Sequence, residues 1–142
     1  MTGNIIYTAT ATAKGGRAGH ICSSDGVLKA DLIVPKELGG PGGVGTNPEQ
    51  LFAAGYAACF EGAVRFAARE AGVTLGPDTQ VTAHVGIGPR AAGGFQITVT
   101  LEPHLDGVDH QKAQELVNTA HEKICPYSHA TRGNVDVTIT LV

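Results

Sequence analysis

The stretch Asn47-Pro48-Glu49-Gln50-Leu51-Phe52-Ala53-Ala54-Gly55-Tyr56-Ala57-Ala58-Cys59-Phe60 constrains this chain more than any other. It opens as a helix: Asn47 can cap, Pro48 suits the first helical position, and Gln50 can close a capping box. Nothing between residues 51 and 60 is charged, and a helix apolar on every side belongs in a core or an interface. Beyond Phe60 the helix turns amphipathic. Glu61, Arg65, Arg69 and Glu70 can face water, while Ala63, Phe66 and Ala67 continue the buried side. Glu61 and Arg65 form a favourable pair four apart, and Gly72 ends the helix.

Such a helix needs sheets to bury it. Residues 5–13 mix Thr, Ile and Tyr with Ala and read as a strand. A Gly-rich turn, residues 14–19, leads to a second strand at residues 20–23. Ser24-Asp25-Gly26 signals a hairpin, and residues 27–34 give a third strand, ended by Pro35. The result is an N-terminal three-strand meander. The Gly-rich stretch 38–46 lacks the Lys-Ser/Thr ending of a phosphate loop and reads as a flexible feed into the helix. Strands follow at residues 79–88 and at 95–102, the latter closed by Pro103. Residues 108–124 carry Ala113, Leu116, Val117, Ala120 and Ile124 in one apolar stripe at helical spacing, with Asp109 as cap and Pro126 as stop. Val135, Val137, Ile139 and Leu141 alternate with Asp136, Thr138 and Thr140, as a strand with one wet face does. No repeat or linker divides this order, which predicts one α+β domain over residues 1–142.

With 20 glycines, no tryptophan and 16% charged residues, small side chains do much of the packing. A net charge of −3 offers no basic footprint for nucleic acid. The N-terminus has no signal-peptide pattern, and no stretch is long enough to span a membrane. Three cysteines do not form a secreted disulfide framework, so a cytoplasmic location with reduced thiols is expected.

Cys59 and Cys125 are the residues to weigh for chemistry. Cys59 lies in an apolar run, which raises a thiol pKa unless a cation sits beside it, and Arg is the natural cation because it stays charged when desolvated. Cys125 reads as the end of a helix, where the dipole disfavours a thiolate. Spacing alone leaves a redox pair and two inert buried cysteines both open. Glu49, in a first helical turn, is stabilised there whatever the protein does, and Arg17 in a Gly-rich turn reads as solvated. Cys22 reads as an ordinary strand residue. His121, Cys125 and His129 are four apart, a loose match to metal-ligand spacing whose register Pro126 breaks.

The segment 47–60, together with Cys125-Pro126-Tyr127-Ser128-His129-Ala130-Thr131-Arg132-Gly133-Asn134, closely resembles the two signature segments of the organic hydroperoxide resistance proteins, the Ohr branch of the Ohr/OsmC superfamily. The likeness takes in Gly15-Gly16-Arg17, Asp25-Gly26, Leu38-Gly39-Gly40 and Gly93-Gly94-Phe95 and runs nearly end to end. His129, where Asn is more usual, and Cys22 are the departures. The resemblance implies an OsmC-like fold, an intertwined homodimer with two sites at the subunit interface, and a thiol peroxidase. It assigns Cys59 as the peroxidatic thiol and Cys125 as the resolving one, with Arg17 and Glu49 as the polar pair that activates Cys59. It implies no bound cofactor and an external dithiol, a dihydrolipoyl group on a lipoylated protein, as reductant. An apolar wall including Leu51, Phe52 and Phe60 would favour alkyl or lipid hydroperoxides. Two other classes remain: a hydrophobic-ligand-binding module whose cysteines never turn over, and a metal-binding protein using His121 and Cys125.

Overall fold

The structure, a computed structural model, describes residues 3–142. The chain forms two compact units, residues 1–48 and 49–142. Both contribute to an α+β architecture with two three-strand sheets.

In the first unit β1 (Ala11–Lys14), β2 (His20–Ser23) and β3 (Lys29–Asp31) form an antiparallel sheet in that order. The expected meander is present, with shorter strands. Residues 5–10 have no regular secondary structure. A strand needs a ladder partner, and β2 stops at Ser23, opposite Ala11. Ile5, Ile6 and Tyr7 are largely exposed. The third strand starts at Lys29 rather than Val27 because the turn is held wide by side chains. Asp25 accepts from Ser23 Oγ at 2.6 Å and from Val27 N at 3.0 Å, and Leu28 N donates to Ser23 Oγ at 3.0 Å. Arg17 lies in a 3-10 turn, Gly16–Ala18.

The second unit is organised by α1 (Pro48–Glu70). Its buried residues Tyr56, Phe60, Ala63, Val64, Ala67 and Ala68 recur three or four apart, one face of a helix. Phe66 was expected on that face but is 44% exposed, with Arg69 stacked on its ring. The helix runs unbroken through Gly55. β4 (Gln80–Pro89) pairs antiparallel with β5 (Phe95–His104), and β5 pairs parallel with β6 (Asp136–Ile139). Pro103 does not close β5. The β6 pairing ends at Leu101, so the missing Pro N–H falls where it breaks no ladder bond on that side. The sheet's inner residues Val99 and Leu101 join α1 and Leu116 and Val117 of α2 (His110–Thr119) in one core.

The parallel β5–β6 pair requires a crossover, and the crossover carries the second signature segment. Asp109 caps α2 by accepting from Lys112 N at 2.9 Å. The helix then widens into a π turn, Ala120–Ile124, closed by Cys125 N donating to Ala120 O at 2.8 Å. Pro126 does not merely stop this helix. It is the first residue of a further one, α3 (Pro126–Thr131), that the sequence analysis did not anticipate.

Candidate active site

Cys59 and Cys125 come together. Their Sγ atoms lie 3.6 Å apart, both as free thiols. Cys59 sits at the middle of α1 and is half-buried, while Cys125 is 1% exposed.

The setting of Cys125 differs from the one expected. It is the N-cap of α3, and its sulfur accepts from Ser128 N at 3.5 Å. A thiol at the start of a helix meets donors and the positive end of the dipole, not the negative one. Burial pushes the Cys59 thiol above its ordinary pKa. The Tyr127 backbone N–H works against that rise, and the hydrogen bond and charge of Cys125 add to it. Cys59 therefore needs a cation to be a thiolate at neutral pH.

The wall around the pair is aromatic. Phe52, Tyr56 and Tyr127 lie with ring centroids 5.7–6.2 Å apart, in the range of favourable aromatic contact. Gly55 makes room for this. A Cβ there would fall 2.9 Å from Tyr127 Oη. Leu51 and Phe52 are half-buried, whereas Phe60 is fully buried and packs against Tyr56. Phe60 backs the site from the core. Glu49 stands in the first turn of α1. The helix is continuous between Glu49 and Cys59, so ten positions at 1.5 Å per residue hold them roughly 15 Å apart along its axis.

A buried polar network lies behind Cys125, and sequence reasoning missed it. Ser128 Oγ lies 2.8 Å from both Tyr56 Oη and His121 Nδ1, and Tyr56 Oη lies 3.3 Å from Thr131 Oγ1. Thr131 Oγ1 donates to Ser128 O at 3.1 Å. Arg132 Nη2 donates to His121 O at 2.6 Å. Tyr56 and Ser128 are fully buried and Thr131 nearly so, and a buried hydroxyl left unpaired costs about 1–3 kcal/mol. Burial first, and the Arg132 charge second, hold His121 below the ordinary histidine pKa, keeping its ring neutral. The one available signal was Tyr56 itself, a hydroxyl in an otherwise apolar run that must find a partner when buried.

The metal alternative loses its geometry here. His129 lies exposed on α3 while Cys125 is buried, and His121 is engaged with Ser128. Among the described residues no group of three or more His, Cys, Asp or Glu side chains could hold a metal ion. A groove of about 400 Å³ lined by Phe66, Leu116, Thr119 and Ile124 includes neither thiol among its lining residues. Among the described residues no helix is long and apolar enough to cross a membrane.

The OsmC-like protein family profile matches residues 40–140. The chain is 54% identical over 137 residues to an organic hydroperoxide resistance protein of Xanthomonas axonopodis pv. citri, covering 96% of this chain and 95% of that one. The chain belongs to the OsmC-like family, in its organic hydroperoxide resistance branch. Solved structures of this branch agree in fold. The organic hydroperoxide resistance protein OhrB of Bacillus subtilis is 51% identical, covers 97% of this chain and 100% of its own, and superposes with a TM-score of 0.87. The Legionella pneumophila organic hydroperoxide resistance protein is 49% identical, with coverage of 97% and 98% and a TM-score of 0.91.

Proposed function

We propose that this chain is a cysteine-based peroxidase that reduces organic hydroperoxides to alcohols. The observation that carries the reading is the Cys59–Cys125 pair at 3.6 Å, set in an aromatic wall. The names of its branch relatives support the same substrate class. In the proposed cycle the Cys59 thiolate attacks the terminal oxygen of the hydroperoxide and the O–O bond breaks. The alkoxide leaves, taking up a proton to become the alcohol, and the hydroxyl stays on sulfur as a sulfenic acid. Cys125 condenses with it, water leaves, and a Cys59–Cys125 disulfide remains. An external dithiol, a dihydrolipoyl group on a lipoylated protein, returns both thiols. A reducing cytoplasm suits that cycle.

Arg17 is the cation that this account assigns to Cys59, countering the effect of burial on its thiol. Glu49 orients Arg17 and balances its charge. The continuous α1 keeps Glu49 far from the Cys59 of its own chain. Glu49 therefore comes from a second copy, in a homodimer with two composite sites. The exposed, uncharged positions Ala54, Ala58 and Gly62 on α1 favour such a helix-to-helix contact. Leu51 and Phe52 form the apolar side that receives an alkyl or lipid hydroperoxide, with Phe60 behind them.

The test is turnover of cumene hydroperoxide with dihydrolipoamide as the only reductant. Sustained consumption is expected. A chain that binds the peroxide without losing free thiols would be a binding module instead.

A further inference from the structure

We propose that His121, acting through Ser128, is a positioning residue for closure of the Cys59–Cys125 disulfide, an inference that rests on the peroxidase reading above. Ser128 is the joint. Its backbone N–H holds Cys125 Sγ at 3.5 Å, and its hydroxyl lies 2.8 Å from both His121 Nδ1 and Tyr56 Oη. Tyr56 is on α1, one turn before Cys59. The Tyr56–Ser128 bond therefore fastens the start of α3, which carries Cys125, to the helix that carries Cys59. His121 comes from the π turn and fastens the same hydroxyl from the other side. Its ring lies 6.4 Å from Phe60, and its carbonyl is held by Arg132. Two anchors on one buried hydroxyl fix the turn in place, and with it the direction of the Cys125 side chain.

The step that this arrangement serves is a competition. The Cys125 sulfur attacks the Cys59 sulfenic sulfur, the S–S bond forms and the S–O bond breaks. The oxygen leaves as water, taking the Cys125 proton. If closure is slow, a second hydroperoxide oxidises the sulfenic acid to a sulfinic acid and leaves as a second alcohol. The ratio of disulfide to sulfinic acid at a given peroxide concentration reports closure relative to over-oxidation, independently of how fast Cys59 is first attacked.

The experiment compares wild type, His121→Phe, His121→Asn and Tyr56→Phe. Intact mass is read after titration with cumene hydroperoxide, and folding is checked by circular dichroism and thermal melting. His121→Phe keeps the ring on Phe60 but loses the nitrogen. His121→Asn returns a polar atom near the Nδ1 position. Closure should slow about tenfold in His121→Phe, equivalent to about 1.4 kcal/mol, so sulfinic acid appears at roughly tenfold lower peroxide. Tyr56→Phe should move the same way, and it carries the test if His121→Phe does not fold. His121→Asn should recover most of the wild-type ratio. Folded phenylalanine variants with the wild-type ratio would overturn the inference. So would an asparagine variant as impaired as His121→Phe, since that marks a merely structural role. A wild-type chain that forms no disulfide at all would instead refute the peroxidase reading.

Discussion

Cys125 Sγ sits 3.6 Å from Cys59 Sγ although 66 positions separate the two residues in the chain. The crossover from β5 to β6 makes this contact. A π turn ends one helix, Cys125 caps the next, and the turn between them folds back onto α1. At 3.6 Å the sulfurs stand about 1.6 Å beyond a disulfide bond length, so in the proposed cycle a sulfenic acid on Cys59 has its partner close by.

The two thiols should therefore fail differently when removed. Cys59→Ser should abolish consumption of organic hydroperoxide. Cys125→Ser should reduce about one equivalent and then stall as a sulfenic acid or pass to a sulfinic acid. Peroxide consumption followed alongside intact mass separates the cases, and turnover by Cys59→Ser would put the nucleophile elsewhere.

Substrate size should matter. With the Tyr56 and Tyr127 rings packed together on the two segments that carry the thiols, and with Leu51 and Phe52 as the proposed apolar side, bulky organic hydroperoxides should exceed hydrogen peroxide in kcat/KM by well over tenfold, which needs only about 1.4 kcal/mol of differential binding. Equal kcat/KM values would refute an apolar recognition surface.

Arg17 should control the ionisation of Cys59. Burial raises the Cys59 pKa, so without a cation the thiolate forms only at alkaline pH. Iodoacetamide alkylation of Cys59 should be fast at neutral pH in wild type. In Arg17→Met it should be slow there and recover as pH rises through the elevated pKa. Identical pH profiles would remove Arg17 from the activating role.

Glu49 and Cys59 should act across subunits. In a dimer of one Cys59→Ser chain and one Glu49→Ala chain, a composite site reunites Cys59 with an intact Glu49 at one of two positions. Activity absent from both parent variants should reappear after subunit exchange. No recovery in verified heterodimers would place both residues in the same chain's site.

Much of this fold is legible in the sequence, where periodicity and capping are strong. The uncharged run before Phe60 marked α1, and Asp109 marked the start of α2. The alternation from Val135 to Leu141 matched the half-buried and exposed positions around β6. What escaped depends on context. Pro126 can end a helix or begin one, and only the π turn before it decides that Cys125 becomes an N-cap. Residues 5–10 have strand-like composition, but among the described residues no partner strand lies opposite them in the sheet. For the site, spacing could nominate Cys59 and Cys125 but could not bring them into contact. The Tyr56–Ser128–His121 network joins three segments distant in sequence, so no local pattern reveals it.

The most direct test is a peptide mass map of the chain after one equivalent of cumene hydroperoxide. The account predicts a single disulfide joining the Cys59 and Cys125 peptides, with Cys22 still alkylatable. Three free thiols, or a link that includes Cys22, would contradict it.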